Sequence, residues 1–375
     1  MPGLYLHIPF CERKCVYCDF YSVESMEHYD AFVDRLCEEI VLRTRDVSSA
    51  VRFGSVFFGG GTPSLLDDRM IGAILDTLRR AVTLADDAEI TMECNPGTVT
   101  AASLRGYRDA GVNRLSFGVQ SFHDDDLRFL SRIHSADEAR RALRLAHRAG
   151  FENVNLDLMF SLPGQSPERW LYNLEQARAL DSTHLSCYSL TVEAGTPLAR
   201  MVRHGLVTMP PAESDAALFE MTMETLHAWG FAQYEVSNYC LPGFTCRHNL
   251  TYWRHEDYLG FGPSAHGTWE GRRWWNVSSI RSWLDALRRG ALPEAGGELL
   301  TPAVQRNEYV YLRLRSEGID LREYSRLFGH DLREQRRSFL DRCVDAGYIR
   351  IADESIRLTR AGMLLCDALC AELIA

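Results

Sequence analysis

Residues 4–18 read LYLHIPFCERKCVYC, a short apolar run typical of a β-strand followed by three cysteines in a C-x3-C-x2-C array. Structural zinc sites usually show four ligands in paired C-x2-4-C elements, and buried core cysteines rarely cluster this closely. Three thiolates suit a [4Fe–4S] cluster whose fourth iron stays open to a small chelating molecule. The array therefore predicts that Cys11, Cys15 and Cys18 ligate an iron–sulfur cluster directly after the first strand.

Outward from this array, β-rich runs alternate with helical periodicity up to about residue 190. The alternation predicts parallel βαβ units with right-handed crossovers, and therefore an α/β fold built on a partial (β/α)6 barrel. The predicted strands are Leu4–Ile8, Ser55–Phe58, Glu89–Glu93, Arg114–Phe117, Asn153–Asp157 and His184–Tyr188. The predicted helices between them are Met26–Arg45, Arg69–Val82, Ala101–Ala110, Ser135–Ala149 and Pro167–Ala179.

Polar or glycine-rich residues follow five of these strands. The cysteines follow strand one, residues 59–63 (GGGTP) follow strand two, Glu93 closes strand three, Gln120 follows strand four and Asp157 closes strand five. Functional groups gather where the carboxyl ends of such strands meet their loops, so one cofactor-holding rim is expected. Taken singly, each polar residue is more often a strand-end cap or an ordinary surface residue.

The remaining chain predicts two further units, giving divisions at 1–230, 231–295 and 296–375. After residue 190 the pattern changes, and this part of the chain is expected to cap or extend the barrel, with a helix at Ala216–Trp229, a strand at Gln233–Ser237 and a short helix at Ile280–Arg289. Residues Leu292–Gly297 are interpreted as a linker because Pro, Ala and Gly replace amphipathic periodicity. Beyond it, three helices and a hairpin predict a small winged-helix-like domain: Ala303–Ser316, Leu321–Phe328 and Leu332–Ala346, then strands Ile349–Ile351 and Ile356–Leu358.

Composition limits the class of partner and the compartment. The 375 residues carry a formal net charge of −10, whereas nonspecific nucleic-acid binding relies on clustered Lys and Arg. A DNA-binding role for the last domain is disfavoured because Leu332–Ala346 mixes Arg with Asp and Glu, as solvated faces do. The eleven cysteines are unevenly spaced, and no leader or apolar run of about 18 residues is present. A reducing cytoplasm is therefore expected, with no nucleic-acid partner and no direct membrane insertion.

Two motifs, YLHIPFC at residues 5–11 and FFGGGTPS at residues 57–64, resemble the radical S-adenosylmethionine superfamily, specifically its oxygen-independent coproporphyrinogen III oxidase-like family. The resemblance covers nearly the whole chain and implies a radical SAM barrel with a [4Fe–4S] cluster. It also implies that the glycines, lacking Cβ atoms, let the backbone approach S-adenosylmethionine closely. The implied contacts with this cofactor are Tyr5, Tyr17, Gly60, Gly61, Thr62, Glu93, Gln120, Arg132 and Asp157.

A further position separates branches of this family. The coproporphyrinogen dehydrogenases have a fourth cysteine in C-x3-C-x2-C-x-C, where this chain has Phe20. Residues 248–253 read HNLTYW, which resembles the haem chaperone (HemW) branch. This implies haem binding by His248, Tyr252 and Trp253, with His248 as the first candidate axial ligand, and transfer to haem-acceptor proteins such as membrane-bound respiratory components.

Two alternatives stay open. Radical decarboxylation of coproporphyrinogen III is the second function that the resemblance allows, although Phe20 disfavours it. Without the resemblance, His248 and Trp253 would be interpreted as core residues, because a lone His in an aromatic segment usually has a structural role.

Overall fold

The structure, a computed structural model, describes residues 1–374. They form a sheet of twelve strands and a smaller sheet of three. In chain order the strands are β1 (Gly3–Ile8), β2 (Arg52–Gly60), β3 (Thr83–Cys94), β4 (Arg114–Gln120), β5 (Asn153–Phe160), β6 (His184–Ser189), β7 (Ala232–Gln233), β8 (Asn238–Cys240), β9 (Tyr258–Phe261), β10 (His266–Trp269), β11 (Arg272–Asn276), β12 (Glu294–Leu299), β13 (Ile319–Asp320), β14 (Ile349–Ala352) and β15 (Ser355–Leu358). The helices are α1 (Tyr29–Thr44), α2 (Asp68–Ala81), α3 (Ala101–Ala110), α4 (Asp124–Phe129), α5 (Ala136–Arg148), α6 (Pro167–Ala179), α7 (Pro197–Arg203), α8 (Ala212–Ala228), α9 (Arg247–Trp253), α10 (Ile280–Arg288), α11 (Pro302–Leu314), α12 (Leu321–Phe328), α13 (Leu332–Gln335), α14 (Arg337–Asp345), α15 (Arg360–Leu364) and α16 (Cys366–Ile374).

The first six strands lie side by side in chain order and pair in parallel, which confirms the predicted partial barrel. Alternate residues of β1, such as Leu4 and Leu6, are fully buried in the core, whereas Tyr5 lines an interior cavity. Helices begin at residues with suitable side chains: Ser135 and Glu138 form a capping box at the start of α5. Period-two burial along the strands therefore places one set of side chains in the core and the other inside the barrel.

Residues after α8 extend both edges of this sheet. Strands β9–β12 continue it beyond β1, and β8 and β7 continue it beyond β6. The predicted strand at Gln233–Ser237 is wrong, because the chain reverses there: β7 and β8 pair antiparallel, with Gln233 opposite Tyr239. The segment therefore closes one edge as a short hairpin.

The linker predicted at Leu292–Gly297 is also wrong. These residues overlap β12, which pairs antiparallel with β11. Its glycines reflect cross-strand packing, since a Cβ atom on Gly296 would lie 2.6 Å from the ring of Trp275. Because β12 continues to Leu299, the domain boundary that we propose moves from residue 295 to residue 300.

The C-terminal residues form a separate apolar core, which includes Tyr309, Leu314 and Leu340, beside the sheet β13-β15-β14. The hairpin of β14 and β15 is antiparallel, as predicted. The single helix predicted at Leu332–Ala346 divides at Arg336 into α13 and α14. Within residues 1–374, no helix combines the length and apolarity needed to cross a membrane.

Candidate functional site

The barrel encloses a cavity of about 660 Å³ that reaches from the cysteine loop towards α9. Every predicted site residue except Trp253 lines it. A contact between Trp253 and a ligand in this cavity is therefore not expected. The residues that the structure brings together are the three cysteines, Tyr5, Tyr17, Gly60, Gly61, Thr62, Glu93, Gln120, Arg132, Asp157, His248 and Tyr252.

The loop that carries the cysteines is fixed at both of its ends. The backbone N–H of Cys11 donates to the carbonyl of Val23 at 3.0 Å, and Val23 donates to Pro9 at 2.8 Å. The backbone N–H of Thr62 donates to the carbonyl of Phe10 at 2.7 Å. The glycine-rich loop and the cysteine loop are thus joined by backbone bonds at the carboxyl ends of β1 and β2.

The glycines of the loop after β2 also meet a packing requirement within the protein. A Cβ atom on Gly61 would lie 2.6 Å from the carbonyl oxygen of Phe10, and one on Gly60 would lie 2.6 Å from the ring of His7. The absent Cβ atoms therefore make room for β1 and the cysteine loop. Gly60 also has a φ of +108°, which side chains rarely adopt.

Arg132 connects the rim to the cysteines. Its Nη2 donates to the carbonyl of Gly118 at 2.7 Å, and its Nη1 lies 3.4 Å from the Sγ of Cys15. Burial lowers the pKa of Arg132, but the neighbouring Tyr17 and Cys15 more than offset this, so the pKa is raised. A permanent positive charge therefore lies beside the cysteine loop.

Two buried carboxyl groups, Glu93 and Asp157, line the cavity and interact through their charges. Burial, and then the charge of Asp157, raises the pKa of Glu93 to about 8, although the N–H of Gly60 donates to it at 3.1 Å. Burial also raises the pKa of Asp157, against hydrogen bonds from Ser186 and Asn155. Glu93 therefore retains a proton near neutral pH in the ligand-free protein, and this pair is suited to binding a cationic amine or a hydroxyl group.

His248 lies at the opposite end of the cavity from the cysteines. Gly3 begins β1 beside it, whereas Ile8 ends β1 at the rim, a rise of about 17 Å. The Nδ1 of His248 is bonded to Ser55 at 2.9 Å and its Nε2 to Tyr252 at 2.8 Å. Burial, and then the charge of Arg114, lowers the pKa of His248 to about 3. The imidazole is therefore neutral, and neither nitrogen is free for iron in this arrangement.

A chain of hydrogen bonds joins α9 to Asp157. Asn249 donates to the hydroxyl of Tyr234 at 3.4 Å, and that hydroxyl is bonded to Nε2 of His184 at 2.8 Å. The Nδ1 of His184 is bonded to Asn155 at 2.6 Å, and Asn155 donates to Asp157 at 2.7 Å. The HNLTYW segment therefore helps to fix the position of a rim carboxylate, a role that its sequence did not indicate.

Comparisons with known proteins match nearly the whole chain. Residues 5–177 match the Radical SAM superfamily, and residues 300–365 match the HemN C-terminal domain. The chain is 35% identical to the heme chaperone HemW of Bacillus subtilis, with 97% of each chain covered. It is 38% identical to the heme chaperone HemW of Mycobacterium tuberculosis (strain ATCC 25618 / H37Rv), with 98% of this chain and 93% of that relative covered. The chain belongs to the HemW family.

Among solved structures, coproporphyrinogen III oxidase (HemN) from Escherichia coli superposes on this chain with a TM-score of 0.84. The superposition covers 99% of this chain and 90% of the HemN chain. At 22% identity this likeness shows a shared fold. Radical SAM proteins carry a [4Fe–4S] cluster and bind S-adenosylmethionine, so membership of the HemW family assigns both cofactors to the chain.

The cavity fits these cofactors in its donor chemistry. Within residues 1–374, no three His, Cys, Asp or Glu side chains converge on one point as ligands of a single metal ion. A cluster does not require such convergence, because each thiolate binds a different iron atom. Arg132 and Thr62, which donate towards Cys15 and Cys11, are the kind of donors that stabilise thiolates. The array therefore suits a multi-iron group better than one ion.

Several cavity residues were missed by the sequence analysis of this HemW-family chain. They share the interior face of the strands and comprise Arg114, Ser116, Asn155 and Ser186. A signal was present, since Asn155 stands two residues before Asp157 and Ser116 is paired with Asn155 across β4 and β5. Extending the period-two pattern backwards from the strand ends would have found them.

Proposed function

We propose that this protein is a haem chaperone that binds haem, a [4Fe–4S] cluster and S-adenosylmethionine, and passes the haem to an acceptor protein. The similarity to proteins named heme chaperone HemW carries this proposal, because it spans the barrel, its extension and the C-terminal domain. Phe20 supports it. Its side chain is 65% exposed at the cavity, at the position where the related dehydrogenases have a fourth cysteine.

In this proposal Cys11, Cys15 and Cys18 hold the cluster. With S-adenosylmethionine bound, the cluster supplies one-electron chemistry for reductive cleavage of the sulfonium. Arg132 contacts this cofactor beside the cysteines, and Glu93 accepts from its amine. The remaining proposed contacts are Tyr5, Tyr17, Gly60, Gly61, Thr62, Gln120 and Asp157, all of which line the cavity.

Haem ligation by His248 would replace one of its two hydrogen bonds. Coordination through Nε2 would displace the hydroxyl of Tyr252, which lies 2.8 Å away. Within the HNLTYW segment, His248 would therefore be the iron ligand, and the hydroxyl of Tyr252 would compete with the iron for its Nε2. If His248 is the axial ligand, removing the hydroxyl of Tyr252 should therefore strengthen haem binding.

The first test is an anaerobic haemin titration of the cluster-loaded protein, followed by the Soret band. Saturation near one haem per chain is expected. His248→Ala should weaken binding at least about tenfold, and Tyr252→Phe should strengthen it, because Nε2 is then free. His147→Ala is the control, since His147 bonds to backbone carbonyls outside the cavity at 3.1 and 3.0 Å.

Two results would count against the proposal. Absence of saturable haem binding would overturn the chaperone function, and an assay that yields protoporphyrinogen would identify the decarboxylase instead. Equal affinities for His248→Ala and wild-type protein would overturn only the axial ligand.

Transfer is tested with a separate acceptor. We propose a cytoplasmic chaperone that delivers haem to haem proteins, including membrane-bound respiratory components. The haem-loaded chaperone is mixed with a detergent-solubilised b-type respiratory subunit that lacks haem. The haem absorbance of the acceptor should rise as that of the chaperone falls. An acceptor that gains haem no faster than from free haemin would contradict the transfer step.

A further inference from the structure

A buried arginine begins β4 on the interior face of the barrel. Arg114 is 2% exposed, yet it lines the cavity. Its Nε is sealed from solvent without a hydrogen-bond partner. Among residues 1–374, its guanidinium forms no ion pair or hydrogen bond; the nearby charged groups act on it only at longer range. The cavity adjoins Arg114 and offers space for a ligand group beside it.

A buried guanidinium whose N–H groups have no acceptor is costly, because those donors have lost their hydrogen bonds to water. Another buried arginine in this chain shows the usual solution. Arg43 donates to Glu294 at 2.9 Å, to Asn276 at 2.9 Å and to Glu39 at 3.3 Å. Among residues 1–374, Arg114 has no such set of partners, so its Nε is left without an acceptor in the ligand-free fold.

Two of the carboxyl groups near Arg114 already have other partners. Glu89 accepts from the backbone N–H groups of Arg247 and His248 at 3.0 and 3.1 Å. Asp157 accepts from Asn155 at 2.7 Å. Burial lowers the pKa of Arg114, but these and other neighbours more than offset it, so the guanidinium stays charged.

We propose that Arg114 binds a carboxylate group of a ligand at the floor of the barrel, in a subsite separate from the rim where Arg132 and the cysteines lie. A guanidinium presents a planar pair of N–H donors that matches a carboxylate. A phosphate would bring a second negative charge next to Glu89 and Asp157, which disfavours it. The expected ligand group therefore carries a single charge.

Two ligands of the cavity carry such a group: S-adenosylmethionine through its methionine carboxylate, and a porphyrin through a propionate. The porphyrin source rests on the proposed function, whereas the S-adenosylmethionine source does not. Both offer the same chemistry to Arg114, and the experiment separates them.

The ligand-free protein is tested first by thermal unfolding. Arg114→Gln should change the melting temperature little, because Arg114 has no hydrogen bond or ion pair to lose among residues 1–374. Arg43→Gln is the matched control and should lower the melting temperature by several degrees, because it strands the buried Glu39. An equal loss in both variants would show that Arg114 is a structural counter-charge and would overturn the proposal.

Binding is then compared on cluster-loaded protein with acids and their uncharged or truncated forms. In the porphyrin arm, Arg114→Gln should weaken metal-free protoporphyrin IX at least about tenfold and leave its dimethyl ester unchanged. In the other arm, it should weaken S-adenosylmethionine at least about tenfold and leave decarboxylated S-adenosylmethionine unchanged. Either pattern identifies the source, and unchanged affinity for both acids overturns the proposal.

If Arg114→Gln does not fold, the same binding measurements are made with Arg114→Lys. Lysine keeps the charge but not the planar pair of donors, so several-fold weaker binding of one acid is expected. Wild-type affinity for both acids would again overturn the proposal. Failure of the proposed function is distinguishable, because then the wild-type protein itself binds neither haemin nor metal-free porphyrin.

Discussion

Proton binding at Glu93 gives a single residue a measurable effect on stability. Burial, and then the charge of Asp157, raises the pKa of Glu93 from 4.5 to about 8, so between about pH 5 and pH 8 the native state holds a proton that the unfolded chain has released. The unfolded state binds fewer protons there, and stability therefore falls as pH rises through this window. Glu93→Gln stays neutral and should lack this part of the decline in ligand-free protein.

Urea unfolding across this pH range measures the effect. Glu152→Gln, an exposed carboxyl on the outer surface, should keep the wild-type pH dependence. A Glu93→Gln variant with the wild-type slope would show that Glu93 is ionised in the native protein at neutral pH.

The cysteine array allows a second prediction for a single residue. Cys15→Ala should lose nearly all bound iron and sulfide after anaerobic reconstitution, because an incomplete thiolate set cannot hold the cluster. Cys94→Ala is a demanding control, since Cys94 is buried and lines the same cavity but lies outside the array. A full cluster in Cys15→Ala would exclude Cys15 as a ligand.

At the scale of one element, the short helix α9 depends on a distant side chain for its first turn. The Oε2 and Oε1 atoms of Glu89, on β3, accept from the backbone N–H groups of Arg247 and His248. Glu89→Gln replaces one acceptor by an NH₂ group that faces an N–H donor. We expect a loss of about 1–3 kcal/mol in the free energy of unfolding.

Asp87→Asn is the matched control for this prediction. Asp87 pairs with the same Arg247 through an exposed contact at 2.9 Å, which should contribute less than about 1 kcal/mol. Urea unfolding compares the two variants. Equal losses would mean that the helix start is not held by Glu89.

Elements also show where local pattern is sufficient for prediction and where it is not. Helices α3 and α6 have the predicted bounds, because capping residues and apolar spacing are local signals. Strand β12 was mistaken for a linker, because its glycines accommodate aromatic side chains of β11. A glycine-rich segment has the same composition whether it is a linker or a strand packed against aromatic side chains. Only its hydrogen-bond pairing with another strand distinguishes the two.

At the scale of the whole molecule, one buried carboxylate joins the barrel to its extension. Glu39 of α1 is fully buried and accepts from the backbone N–H of Gly262 at 2.8 Å, from Asn276 at 2.7 Å and from Trp283 at 2.8 Å. These donors follow β9, end β11 and lie in α10. Glu39 therefore anchors three parts of the extension to the first helix of the barrel.

Glu39→Gln should lower the free energy of unfolding by about 3–5 kcal/mol, because it leaves buried donors and the nearby Arg43 without their partner. Glu38→Gln changes the adjacent residue, whose pair with Arg35 is partly exposed, and should cost less than about 1 kcal/mol. Denaturant unfolding distinguishes them. Similar small losses would show that the extension is held by apolar packing alone.

The sequence by itself determined the α/β barrel, the cysteine array and the rim residues such as Glu93 and Asp157, because these depend on strand periodicity and on residues next to strand ends. Only the tertiary structure decided that both nitrogens of His248 are bonded and that Arg114 has no hydrogen-bond partner among residues 1–374. Those facts depend on which side chains from distant segments meet inside the barrel. Local pattern contains no information about such encounters, since the partners of His248 lie 193 residues away on β2 and one turn along α9.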